Sequence, residues 1–258
     1  MKKELKYLLY FIFFAALLGE CYLVLKAERA SHNFATYKNY LILSKYRIFV
    51  RPLLVLSLSP LVFKRYDNNY RDIYLYIGLF CTFMADVLVL TQISALIYAG
   101  ITLYPVSYLL LAESLNRLIK RVKYKISGLF VTLISAVVIV GGLMIYLPDM
   151  YDTTKFILLG LHIISLIYLI NVSLKIKKKL KSLKTIRFIL ASIVCVALAN
   201  IIYGVSMLIF DNAHPSLNVL TAFFYGLFLF FLINSITYLK ERQHQKEDDF
   251  ESSIALKQ

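Results

Sequence analysis

Long apolar stretches recur along almost the whole chain, near residues 7–25, 48–63, 73–92, 93–113, 126–147, 156–174, 188–210 and 217–239, with short basic or polar segments between them. The stretches are continuous and do not alternate, which reads as helix and excludes the strands of a membrane β-barrel. A helix rises about 1.5 Å per residue, so about 20 residues cross a hydrocarbon core of roughly 30 Å. The pattern therefore predicts an all-α fold, a polytopic transmembrane bundle of eight helices. The second stretch is short at its polar edge; either Tyr40 to Ser44 extends it or it tilts against its neighbours. The third and fourth meet at Thr91-Gln92, which predicts a tight helical hairpin. Residues 1–240 read as one transmembrane domain and 241–258 as a polar, mobile cytoplasmic tail.

Lys and Arg set the expected direction. With the N-terminus inside, the inner segments 1–6, 64–72, 114–125, 175–187 and 240–258 hold 22 basic residues, against 6 in the outer segments 26–47 and 148–155. Both termini are thus expected in the cytoplasm. The first outer loop, Lys26 to Arg47, is the basic exception and is expected on the membrane surface. The run Lys175 to Lys181 reads first as a topology anchor and second as a contact for anionic lipid. MKKELK before an apolar run mimics a signal peptide, but no small-x-small cleavage site follows, so it is read as an uncleaved first span. Short loops and no targeting segment point to the cytoplasmic membrane of a bacterium.

Composition agrees. The 258 residues are 60% hydrophobic and 17% charged, with a mean hydropathy of +0.70, outside the range of ordinary soluble enzymes, disordered chains and disulfide scaffolds. The net charge of +14 sits mostly between spans, so topology accounts for it before nucleic acid does, and no nucleic-acid partner is expected. Cys21, Cys81 and Cys195 all lie inside apolar runs, which argues against disulfides and thiolate metal sites.

Ionisable groups at membrane depth cost about 2.5–3.5 kcal/mol each on insertion scales, so the few here carry information. They are Glu20, Arg51, Asp86 and His162, with Asn171, Asn200 and Asn234 as neutral polar groups. Counting residues from the inner ends puts Glu20, Asp86 and Asn200 at one level, roughly 20 Å above the cytoplasmic edge. Arg51 enters about 5 Å below the outer edge and reaches inward or snorkels outward. Tyr104, Tyr108 and Tyr225 come to similar depths from the opposite direction. These positions define one polar layer in the outer half of the bundle. Cys81-Thr-Phe-Met-Ala-Asp86 echoes Cys195-Val-Ala-Leu-Ala-Asn200, which is compatible with a four-plus-four duplication or with coincidence.

Plainer roles stand beside these. Asp86 and Arg51 would serve as a structural ion pair, Glu20 as another partner for Arg51, and most of the 20 tyrosines as packing or interfacial belt. His162 has no second His or carboxylate at i+3 or i+4, which speaks against a metal. Gly128, Gly141 and Gly142 read as helix-contact positions. There is no Gly-rich phosphate loop, HExxH, GxSxG or mid-span lysine of a late helix, and no cofactor is expected.

Arg51-Pro-Leu-Leu54 opening the second span, Ala85-Asp-Val-Leu88 closing the third and Gly100-Ile-x-x-Tyr104 in the fourth resemble the YhhN family of eight-span membrane proteins, which includes the lysoplasmalogenases. That family's pattern reads Lys-Pro-Leu, then Gly-Asp-Val-Leu, then Gly-Leu-x-x-Phe-x-x-Ala-His-x-x-Tyr, with Ser-Asp in the seventh span and Tyr-x-x-Ala-Gln in the eighth. Here Arg51 replaces the Lys, Ala85 the Gly, Tyr108 the His, Leu111 the Tyr and Asn200 the second Asp, so Asp86 alone survives of the strongest acid–base positions.

The resemblance implies hydrolysis of the vinyl ether of a lysoplasmalogen, releasing a fatty aldehyde and a glycerophospho-head group. That reaction protonates carbon, passes through an oxocarbenium-like cation and adds water, so it needs an acid and a group to orient water. Hydrocarbon favours the neutral acid, whereas a neighbouring guanidinium favours the carboxylate. Asp86 is assigned as the principal acid–base residue, with Glu20 standing in for the missing second Asp and Asn200 as a water-orienting partner. Arg51, Tyr104, Tyr108, Tyr203 and Tyr225 are assigned to the substrate, a lysophospholipid or another membrane amphiphile. The rival expectation is a catalytically degenerate lipid-binding or lipid-transport bundle of the same fold; a small-solute transporter is a third.

Overall fold

The computed structural model describes residues 3–31, 37–63, 73–91, 93–118, 153–180, 182–210 and 215–255. Among them the chain is helical throughout, in seven helices with no strand. They are α1 (Lys3–Ser31), α2 (Tyr37–Phe63), α3 (Ile73–Val89), α4 (Ser94–Leu118), α5 (Thr153–Lys179), α6 (Leu183–Phe210) and α7 (Pro215–Ala255). The apolar stretch 126–147, with Gly128, Gly141 and Gly142, lies outside the described residues.

Among the described residues, four segments are long and apolar enough to cross a membrane: Lys3–Ala27, Ala95–Arg117, Leu183–Tyr203 and Ser216–Glu241. Ile73–Val89 and Gly160–Ile176 are shorter apolar helices. In α2 the apolar run is broken by Lys45, Arg47 and Arg51. Side chains facing away from the bundle are as apolar as those facing in. Phe11, Phe49 and Phe80 point outward, while Phe13, Leu58 and Leu79 are buried. Helices apolar on every face are stable in lipid and not in water, so the protein is membrane-embedded.

Oily surroundings remove most of the hydrophobic drive for helix association, leaving close packing and polar contacts. The helix α7 is the hub, packing against α1, α2, α4 and α6. One core cluster runs through the bundle, including Phe13 and Leu17 of α1, Leu54 of α2, Leu111 of α4, Leu169 of α5, Val196 of α6 and Phe228 and Leu232 of α7. Polar side chains pin their own or neighbouring helices. The Tyr10 hydroxyl of α1 donates to Asn234 Oδ1 of α7, and Asn234 Nδ2 donates to the Phe230 carbonyl at 2.8 Å.

The hairpin predicted at residues 91–92 is present. Helix α3 ends at Val89 and α4 begins at Ser94, with the Thr91 hydroxyl returning to the Leu88 carbonyl at 2.7 Å. Glycine brings the two helices together: a Cβ on Gly100 would lie 2.8 Å from the Val89 backbone nitrogen, and one on Gly78 3.2 Å from Leu111.

One expectation is corrected. The basic segment 26–47 is not one surface loop, because α1 runs to Ser31 and α2 starts at Tyr37. Arg47 is therefore a helical residue whose side chain turns into the bundle. The polar segment from Glu241 takes a definite form as well: α7 continues through it, helical to Ala255. It is rich in Glu, Lys, Gln and Arg and lacks Gly and Pro, so nothing in it stops the helix.

Candidate functional site

Four helices meet at Asp86. It lies on α3 with no exposed surface, one turn before the hairpin. Arg51 of α2 donates through Nε to Asp86 Oδ1 at 3.0 Å and through Nη2 to the Tyr104 hydroxyl at 2.9 Å. Tyr104 of α4 donates to the same Oδ1 at 2.8 Å. Tyr225 of α7 stands 3.0 Å from both carboxylate oxygens. The guanidinium also lies over the Tyr225 ring, 5.2 Å from its centroid, and the Tyr104 and Tyr225 rings meet edge-on at 6.2 Å.

Local sequence explains this convergence. Arg51 and Tyr104 each precede a proline inside a helix, Pro52 and Pro105. A helical proline removes one i→i−4 backbone bond, which membrane helices tolerate only where other groups compensate. Further along α2, Pro60 cannot donate to the Leu56 carbonyl, and the Ser59 hydroxyl does so instead at 3.0 Å. Gly100 lies one turn before Tyr104 and allows the close approach of α3 and α4 that brings Tyr104 to Asp86. Deeper in the same interface, Thr82 and Ser107 hydrogen-bond across it.

The cluster is charge-balanced, with one guanidinium and one carboxylate. Asp86 Oδ1 accepts from Arg51, Tyr104 and Tyr225, whereas Oδ2 accepts from Tyr225 alone. The Arg51 side chain keeps 20% of its surface and is the exposed member of the pair.

Glu20 lies within electrostatic reach of Arg51 and Asp86 but takes its hydrogen bonds from Arg47. Its Oε1 accepts from Arg47 Nε at 3.1 Å and Nη2 at 2.8 Å, one turn before Arg51 on the same helix. Glu20 is 1% exposed, and its Oε2 is buried without a hydrogen-bond partner. The two arginines on one face of α2 thus hold two different carboxylates.

Asn200 belongs to a third group. Its Oδ1 lies 2.7 Å from His162 Nε2, and its Nδ2 donates to the Val196 carbonyl at 2.7 Å. Tyr108, one turn after Tyr104 on α4, is buried, neighbours Asn200 and meets the His162 ring edge-on at 5.4 Å. Phe228 links the two groups, 5.9 Å from the Tyr108 centroid and 6.5 Å from that of Tyr225. Tyr203 is about half exposed on α6, within electrostatic reach of Arg51; among the described residues it makes no hydrogen bond to the cluster.

Of the residues singled out from the sequence, the structure unites Asp86, Arg51, Tyr104 and Tyr225. It sets Asn200 and Tyr108 beside them and gives Glu20 a separate partner. Arg47 is the addition, and His162, singled out by its depth, gains Asn200 as its partner. Comparison with protein-family models, with curated proteins and with solved structures finds no match. The site's own chemistry is therefore the basis for assigning function.

Proposed function

We propose that this protein is an integral-membrane hydrolase that acts on lysoplasmalogen, cleaving the vinyl ether to a fatty aldehyde and a glycerophospho-head group. In this reading it crosses the bacterial cytoplasmic membrane eight times with both termini inside. The span outside the described helices is 126–147, the fifth along the chain, and the excess of Lys and Arg in the inner segments supports the direction. The sequence resemblance to the YhhN family supports the same substrate class.

The observation that carries the reading is a carboxylate with no exposed surface, met by an arginine and two tyrosine hydroxyls from three other helices. An intramembrane ionisable residue is expensive, and a cluster of this kind marks a functional site by default. At rest Asp86 is the carboxylate of the Arg51 pair; in turnover it takes up a proton on Oδ2, the oxygen with the fewer donors, and delivers it to the vinyl carbon. Arg51, whose side chain keeps 20% of its surface, takes the lipid phosphate as a guanidinium suits. Tyr104 and Tyr225 hold the carboxyl in place and accompany the change of charge. Glu20, engaged by Arg47, is a structural pair.

A second reading has a specific observation in its favour. Asp86 is sealed and Oδ1 already accepts three donors, as suits a structural ion pair in a lipid-binding protein without turnover. Purified protein in lipid nanodiscs, supplied with 1-alkenyl lysophosphatidylcholine and with its 1-acyl counterpart, separates the two. The hydrolase releases fatty aldehyde from the alkenyl lipid only, and Asp86→Asn abolishes release. Thermal stabilisation by the lipid without aldehyde from the wild type supports the binding protein.

A further inference from the structure

His162 is a titratable group inside the bundle that neither the ion-pair cluster nor its carboxylate chemistry uses. Its environment fixes where its proton sits. Asn200 Nδ2 donates to the Val196 carbonyl at 2.7 Å, and a carbonyl only accepts. The Asn200 amide therefore cannot be turned round, and the atom it presents to His162 at 2.7 Å is the acceptor Oδ1. Nε2 must carry the hydrogen, and in the neutral ring the lone pair is then on Nδ1. No described residue hydrogen-bonds to Nδ1, and the His162 side chain is only partly buried. Tyr108 braces the ring edge-on at 5.4 Å. Along α4, Tyr108 is one turn, about 5.4 Å, from Tyr104 at the carboxylate.

Building on the hydrolase reading, we propose that His162 is the base of the reaction, held as the Nε2–H tautomer by Asn200, with Nδ1 taking a proton from the attacking water. The steps balance without another reagent. Asp86 gives its proton to the vinyl carbon farther from the ether oxygen, forming a C–H bond and an oxocarbenium ion. Water adds to the cationic carbon while its proton passes to His162 Nδ1, giving a hemiacetal. As the hemiacetal carbon–oxygen bond breaks, the imidazolium returns that proton to the departing glycerol oxygen. The hemiacetal hydroxyl proton goes to the Asp86 carboxylate as the aldehyde C=O forms. Vinyl ether and water become aldehyde and alcohol, and both side chains end as they began.

The test is His162→Gln, which keeps an N–H donor for Asn200 and has no base. Wild-type protein is expected to release aldehyde and the variant to lose about 10²-fold or more in kcat with KM within about twofold. A variant within about threefold of an active wild type overturns the base role and leaves the hydrolase reading standing. A wild type that releases no aldehyde defeats the hydrolase reading itself, and the base role with it. A second measurement does not depend on turnover. Nitrogen NMR of histidine-labelled protein in nanodiscs, with His162 assigned by difference against the Gln variant, is expected to show a protonated Nε2 and an unprotonated Nδ1. Asn200→Leu is expected to abolish that preference, and 1-O-alkyl lysophosphatidylcholine, which has no vinyl group, to shift the Nδ1 signal. A proton found on Nδ1, or an Asn200→Leu protein with an unchanged tautomer, overturns the inference.

Discussion

Removing one member of the Arg51–Asp86 pair should cost very different amounts depending on which member goes. Arg51→Met leaves a carboxylate with no exposed surface and no cation. Breaking a buried ion pair in this way costs about 3–5 kcal/mol. Two tyrosine donors remain on Asp86, and each interhelical hydrogen bond in a membrane is worth about 0.6 kcal/mol. They were already present in the wild type, so they place the loss near the lower end, about 3 kcal/mol. Asp86→Leu instead leaves a guanidinium that keeps its Tyr104 hydrogen bond and its place over the Tyr225 ring and already has 20% of its surface exposed. That side chain can rotate toward head groups, so the loss should be about 1–2 kcal/mol. The double variant R51M/D86L removes both charges and should be more stable than R51M alone, giving a coupling of about 1–3 kcal/mol. Reversible unfolding of the purified proteins in mixed detergent–SDS micelles measures all four corners of this cycle. Additive losses, or an R51M protein as stable as the wild type, would refute the reasoning that the carboxylate depends on this arginine.

Three further outcomes follow from the same geometry. Tyr104→Phe and Tyr225→Phe should each lower stability by only about 0.6–1.7 kcal/mol in the same micelles while cutting aldehyde release about tenfold or more, because they touch the carboxylate in every charge state; unchanged turnover in both would remove the tyrosines from the site. Gly100→Ala places a methyl against the Val89 backbone, so α3 and α4 must move apart; overpacking of this kind costs about 1–3 kcal/mol, and turnover should fall with it as Tyr104 is drawn from Asp86. Glu20→Gln should leave aldehyde release within about threefold of the wild type, since Glu20 is bound to Arg47 and not to the Asp86 cluster; a loss as large as that of Asp86→Asn would return it to the chemistry.

Much of the site was legible because charge at membrane depth is rare. Asp86, Arg51, Tyr104 and Tyr225 were singled out by counting residues from span ends, and the structure joins them by hydrogen bonds. The errors have physical causes. Arg47 was assigned to a surface loop because polar composition marks where hydrocarbon ends and not where a helix ends; α2 continues beyond the apolar run. Its spacing of four from Arg51, which puts both on one helix face, was the available signal. Glu20 was then paired with the wrong arginine, one turn away from the right one. His162 was weighed only against residues at i+3 and i+4, whereas its partner Asn200 lies 38 residues away on another helix. Spacing along one helix cannot reveal such a contact. The segment after Glu241 reads as polar from its composition, and its residues also favour helix, so α7 extends through it.

The central claim is that the Asp86 site protonates carbon in a vinyl ether, and isotope incorporation tests it most directly. With the purified wild type and 1-alkenyl lysophosphatidylcholine in deuterium oxide, mass spectrometry of the product should find one deuterium on the carbon next to the aldehyde, and Asp86→Asn should give none of that product. Aldehyde formed without deuterium at that carbon, or formed equally well by Asp86→Asn, would contradict the account.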